Sequence, residues 1–272
     1  GAPRLMAAPL AGRLLRLLQV VGVNAIPLGG VLVGDWQLST AISIYWFETL
    51  IGTAFVILRM AAHRHLTRKQ GYWYAPVQDE PAARSSATRR ARARYVPVRQ
   101  NFIERFAIIV TVFTLAHGLI LALFLLAALK QPPEWQALGY ASLGVLGFQG
   151  LGLAADLAGL RERPFAWIRT IAGQYLGRVV VVHLSIIFGA FAAAYLEQPA
   201  SFFAAFGVLK LVTDIGSWLP HRQATLPDTP PRWMVSLLAR TEPGADPHVE
   251  WAALRRIHDE QRVFWEEAMP PG

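Results

Sequence analysis

Hydrophobic and polar positions divide the chain into six long apolar stretches, at about 14–34, 37–60, 104–129, 136–160, 177–197 and 201–219. A bilayer core about 30 Å thick takes about 20 mostly apolar residues at 1.5 Å each, so every stretch predicts a spanning helix. The second runs from Leu38 through Ile42, Ile44, Leu50, Ile51 and Phe55 to Leu58, with Trp36, Tyr45, Trp46 and Phe47 crowding its start. Three joints are short and rich in turn residues (Gly34 and Asp35; Lys130 to Glu134; Glu197 to Pro199), which predicts tight helical hairpins. Residues 161–175 mix Arg161, Arg163, Arg169, Phe165, Trp167 and Tyr175, and predict a short helix lying in the interface. Beyond Pro220 come Pro-rich linkers and then an amphipathic helix at about 249–268. Its apolar face holds Trp251, Leu254, Ile257, Phe264 and Trp265, with Arg255, Arg256, Asp259, Glu260 and Glu267 outside it. That helix is expected to dock on the membrane or on the protein's own cytoplasmic surface.

Composition fits this pattern. Of 272 residues, 54% are hydrophobic and only 16% charged, where soluble domains carry about 25%. The mean hydropathy is +0.34. The formal charge of +8 changes the picture only through its placement. Arg4, Arg13 and Arg16 precede the first stretch, eleven cations lie between Arg59 and Arg105, and Arg161, Arg163, Arg169 and Arg178 lie between the fourth and fifth. Six more arginines follow the sixth, so 24 of the 26 cations fall on one side of a six-span arrangement. By the positive-inside rule both termini are cytoplasmic, as in an inner-membrane protein. A cleaved signal peptide competes for the first stretch, but that run is too long for one and is broken by Asn24 and Pro27. The expected organisation is a transmembrane domain over 1–220, with a basic loop at 63–102, and a cytoplasmic tail over 221–272. In the loop, Arg84, Arg89, Arg90, Arg92 and Arg94 lie among serines and a threonine without interleaved aromatics. This predicts attraction to anionic lipids and not to nucleic acid.

No motif in the chain names a reaction. With no Cys, thiolate metal sites, disulfides and catalytic thiols are excluded. Gly150, Gly152 and Ala155 spell a dinucleotide-like run but lie inside an apolar span with no preceding strand; with Gly144 and Gly147 they predict a small-residue face for close helix contact. His63, His65, His221, His248 and His258 fall in the loop or tail and are expected to be solvated.

The candidate chemistry is the polar set inside the apolar spans: Asn24, Glu48, His117, Asp156, His183, Lys210 and Asp214. Ionisable groups in hydrocarbon are costly and ordinarily face the bundle interior or a wet cavity. Counted at 1.5 Å per residue from the cytoplasmic ends, Glu48 and His117 lie about 18–20 Å deep, Lys210 and Asn24 about 12–14 Å, and His183, Asp214 and Asp156 about 6–10 Å. The set therefore forms a polar track from the cytoplasmic face to mid-bilayer. Glu48 and His117 could share a proton, Glu48, His117 and His183 could bind a divalent metal, or the three could form a hydrogen-bond network that only joins helices. A haem between the two histidines is disfavoured by their offset in depth. Lys210 and Asp214, spaced i, i+4, read as a neutralising pair, and Asp156 is expected to pair with Arg161 or Arg178.

Three blocks carry a family resemblance: Asn24 to Leu32 with Pro27, followed by Tyr45-Trp46-Phe47-Glu48; Ala116-His117-Gly118; and Gly177-Arg178 through His183 to Gly189, followed by Lys210 to Asp214. Over about 17–220, the basic loop apart, the chain resembles a bacterial multipass membrane family, domain of unknown function 6498. The resemblance implies that Asn24, Glu48, His117, Arg178, His183, Lys210 and Asp214 are signature positions, and implies no activity. The expectation is an all-α, six-span protein with a site that binds or relays a proton, metal ion or small ligand. The alternative is a non-catalytic accessory subunit of a larger membrane complex, and the sequence leaves open whether the protein is an enzyme.

Overall fold

A computed structural model of the chain describes residues 10–76, 95–123, 125, 126, 130, 132–196, 210–212, 214, 226–241 and 246–269. The described residues are mostly helical. Five long helices form the body: α1 (Leu10–Leu32), α2 (Leu38–Thr67), α3 (Phe102–Leu123), α4 (Trp135–Leu157) and α5 (Phe165–Leu196). Lys210, Leu211, Val212 and Asp214 are also helical. Two further helices, α6 (Arg232–Thr241) and α7 (Pro247–Glu266), lie in the tail. Three helical runs, Ser39–Thr67, Phe102–Leu123 and Trp135–Leu157, are long and apolar enough to cross a membrane, and Leu17–Leu32 is a shorter apolar run. Most of the expected sixth stretch, the joint at 197–199 and the arginines at 84–94 lie outside the described residues.

α2 is the central helix, packing against α1, α3, α4 and α5. Its neighbours bury one stripe each and leave the rest apolar and exposed. On α3 the buried face is Ile103, Phe106, Val110, Thr114, His117 and Leu121, while Ile109, Val112 and Leu119 face outward. That distribution, with one face toward protein and oily residues everywhere else, suits a helix whose other neighbour is lipid.

Local chemistry sets the helix ends. Asn101 and Glu104 form a reciprocal capping box at the start of α3: Asn101 Oδ1 accepts from the Glu104 amide at 3.0 Å, and Glu104 Oε2 accepts from the Asn101 amide at 3.1 Å. α2 ends at Arg68, which is left-handed (φ 49°) and returns its N–H to the Arg64 carbonyl. This helix thus runs seven residues past the apolar stretch, and its last two turns hold His63 and Arg64, which the end of that stretch places in the loop. The loop itself begins with a 3-10 turn at Gln70–Tyr72 and pairs β1 (Tyr74–Pro76) antiparallel with β2 (Tyr95–Pro97).

The bundle has two distinct ends. At one, the α1–α2 and α3–α4 joints meet: Thr40 Oγ1 accepts from the Glu134 amide at 2.9 Å, and Ser39 Oγ donates to the Pro132 carbonyl at 3.4 Å. At the other lie the end of α2, the hairpin, the 3-10 turn at Leu160–Glu162, the start of α5 and helix α7. No separate interfacial helix forms at 161–175. α5 is continuous from Phe165, because no proline interrupts 169–178 and Ile168, Ala172, Tyr175 and Val179 supply a buried face at helical spacing that outweighs Gly173 and Gly177.

α7 docks on the protein. Phe264 stacks on Tyr95 with ring centroids 3.8 Å apart, Trp265 packs edge-on to Phe165, and Lys69 bridges to Ala268 as a single strand-like contact. Trp251 Nε1 donates to the Pro227 carbonyl at 2.8 Å, tying α7 back to the linker before α6.

Candidate functional site

Four polar residues of the apolar stretches, Asn24, Glu48, Lys210 and Asp214, meet in one cluster with Arg178. Lys210 Nζ donates to Asn24 Oδ1 at 2.9 Å and to Asp214 Oδ2 at 2.8 Å, and lies 3.1 Å from Glu48 Oε2. Arg178 pairs through Nε with Asp214 Oδ1 at 2.6 Å and through its terminal nitrogen with Glu48 Oε1. Asn24 Nδ2 donates to Asp214 Oδ2 at 2.8 Å and to the Val20 carbonyl at 2.9 Å. Two carboxylates and two cations therefore cancel, with an amide bridging them and the Tyr45 ring beneath the ammonium, its centroid 5.2 Å away. The side chains of Glu48 and Lys210 are 1% exposed and that of Asp214 5%, whereas Arg178 is 19% exposed. Arg178 is thus the member of the quartet nearest the surface.

The cluster draws on α1 (Asn24), α2 (Glu48), α5 (Arg178) and the 210–214 segment. Lys210 and Asp214 share a helix face at i, i+4, as their spacing predicts. Tyr45, Thr49 and Thr53 form an i, i+4 ladder on α2. Tyr175 of α5 binds that ladder, donating to the Thr49 carbonyl at 2.6 Å with its hydroxyl 3.1 Å from Thr53 Oγ1. The i, i+4 run of buried hydroxyls was the signal for this contact, which sequence reasoning missed.

His117 and His183 stand apart from the quartet. Their rings touch edge to face with centroids 4.2 Å apart, and Phe113 lies 5.0 Å from His183. His183 Nδ1 donates to the Val179 carbonyl at 2.5 Å, which leaves Nε2 as the basic nitrogen of a neutral ring. Neither Nε2, nor Thr114 Oγ1 one turn before His117, has a hydrogen-bond partner among the described residues. The expected depth offset between the histidines is absent. It was counted from residue 177, whereas α5 starts at Phe165 and carries His183 eighteen residues along it, about 27 Å. For the same reason the polar set is a compact cluster plus a histidine pair, and not a graded track.

The metal set Glu48, His117 and His183 is not assembled. Glu48 is held by Arg178 and Lys210, and among the described residues no group of three or more His, Asp or Glu is placed to hold a metal ion. Direct contact between the imidazoles also leaves no iron-wide gap between them for a haem.

Other expectations are corrected. Asp156 pairs with Arg59 Nε at 2.7 Å, where Arg161 or Arg178 was expected, because α2 packs along α4 and sets Arg59 beside it. Arg178 itself is engaged in the cluster and does not serve as an interfacial charge. His63 is buried. Its Nε2 donates to the Arg163 carbonyl at 2.9 Å, so Nδ1 of the neutral ring accepts from the Tyr72 hydroxyl at 2.8 Å. His65 is exposed, as expected. Gly144 and Gly152 do lie against α1, with the Ile26 and Gln19 side chains in the space a Cβ would take, but Gly147 and Gly150 face open space.

Comparison with curated proteins and with solved structures gives no significant match. A family model described as a family of unknown function, DUF6498, matches residues 6–231, which include every member of the cluster and both central histidines and stop short of α6 and α7. The chain belongs to the DUF6498 family.

Proposed function

We propose that this is an integral membrane protein of six spans, whose Asn24, Glu48, Arg178, Lys210 and Asp214 cluster binds or relays a small ion, a proton or a small polar ligand. The observation that carries the reading is the balanced quartet itself. A buried ion pair gives little net stability relative to well-packed apolar residues, so four ionised groups kept in oil argue for a use beyond packing. Each charge of the quartet already faces an opposite one, so a ligand enters by exchange: an anion replaces a carboxylate on Arg178 or Lys210, or a proton or cation releases one of them. Arg178, the most exposed member, is the entry point.

The two ends of the bundle support a spanning orientation with the basic end in the cytoplasm of an inner membrane. Both termini, α7 and the polybasic loop belong to that side, and the loop lies against anionic lipid. A metal ion is the least supported ligand, since at Glu48 it would have to displace two cations.

The test compares wild type with the charge-balanced double variant Glu48→Gln/Lys210→Met, which keeps the cluster neutral. Purified protein is screened for thermal stabilisation by small anions, cations and zwitterions, and for ion or proton flux in proteoliposomes. The site reading predicts a ligand or flux that wild type shows and the folded double variant lacks. Equal behaviour of both proteins across the screen would overturn it. It would favour the second reading, a non-catalytic subunit whose charge-paired quartet only holds helices together.

A further inference from the structure

The start of α5 lacks a side-chain cap of its own. Pro164 precedes it, its first turn holds no acidic residue, and its leading N–H groups carry the positive end of the helix dipole. The missing cap comes from α7. Glu266 Oε2 accepts from the Phe165 amide at 2.9 Å, Oε1 accepts from the Ala166 amide at 3.1 Å, and Lys69 Nζ meets Oε2 at 2.5 Å. Main-chain bonds fix the carboxylate in place: Gln70 N to the Glu267 carbonyl at 2.8 Å, and Met269 N to the Arg68 carbonyl at 2.9 Å. The Arg169 guanidinium, 4.0 Å over the Trp265 ring, adds a contact one turn into α5.

We propose that Glu266 is a positioning residue for the buried cluster: by capping α5 from the C-terminal helix, it sets the axial position of the helix that delivers Arg178. Thirteen residue steps of unbroken helix, about 20 Å, separate Phe165 from Arg178, and an axial shift at one end of a continuous helix arrives at the other. Glu266 lies beyond the family-matched segment, which ends at residue 231, yet it caps a helix inside it. The functional meaning rests on the cluster being the working site, but the positioning role is tested without ligand or activity.

The chain contains no Cys, so introduced pairs report cleanly. Spin labels at Val180→Cys on α5 and Leu146→Cys on α4, both exposed positions, read the α5–α4 distance in lipid nanodiscs. Labels at Leu58→Cys on α2 and Leu143→Cys on α4 serve as the control. With Glu266→Gln, hydrogen exchange at 165–168 is expected to rise about fivefold to tenfold, and the α5–α4 distance to shift by about 1.5 Å or broaden comparably, with the control pair unmoved. Glu266→Asp should recover part of both effects. An unchanged α5–α4 distance despite faster exchange would overturn the proposal, because Tyr175 would then hold α5 alone and the cap would be local. If Glu266→Gln fails to fold, Tyr95→Ala, which loosens the seat of α7 without touching the carboxylate, is read with the same labels and the same criterion.

Discussion

A lysine whose side chain is 1% exposed has to spend its charge on something, and Lys210 spends it on two carboxylates and an amide oxygen. Buried polar residues elsewhere follow the same accounting. His63 serves the Arg163 carbonyl with one nitrogen and the Tyr72 hydroxyl with the other, joining α2 to the turn before α5 and to the base of the loop. Burial keeps the Tyr72 phenol protonated, raising its pKa above the ordinary value, so it remains a donor to that ring. Replacing His63 with Leu leaves the Arg163 carbonyl without this partner and is expected to cost about 1–3 kcal/mol in denaturant unfolding in micelles. Unaltered stability would mean that these groups find water instead. The identities in the cluster were legible in the sequence, because charge in an apolar run stands out. The role of His63 was not, since the apolar run ends near residue 60 and the helix does not.

At the scale of elements, helix boundaries decided what could be read. Apolar runs located α1 to α4 well, but the polar turns that extend α2 to Thr67 and α5 back to Phe165 carry no hydrophobic signal. The depths of Glu48 and His183, counted from those run ends, inherit that error, which separates His183 from His117 by most of a leaflet. Glycine spacing was a partial guide to the α1–α4 contact. Gly144 and Gly152, eight residues apart, share a face, and Gly147 and Gly150 do not. Gly152→Leu, which forces its side chain into Gln19, is therefore expected to lower stability by about 1–3 kcal/mol. Gly147→Leu should stay within about 0.5 kcal/mol of wild type. Chemical denaturation of the two variants side by side checks this, and equal losses would displace α1 from that face of α4. The amphipathic tail helix was legible from its periodicity, whereas its capping of α5 was not, because a contact spanning about a hundred residues leaves no local pattern.

For the whole molecule, the proposed arrangement is a two-ended bundle with most of its described cations at one end and its buried charges cancelled in the middle. Membrane-impermeant maleimide on single-cysteine variants tests the first half: Trp135→Cys and Glu260→Cys should label from opposite sides of sealed vesicles. Labelling of both from one side would overturn the proposed six-span orientation. The second half is the central claim, that residues from four separate helical segments hold one another's charges inside the bilayer. Its most direct measurement is a double-mutant cycle in unfolding between Glu48→Gln and Lys210→Met. The arrangement predicts that each single change is costly and that the double recovers part of the loss, with a coupling of about 1–3 kcal/mol. Single effects that add to within about 0.5 kcal/mol would show that the two side chains do not meet.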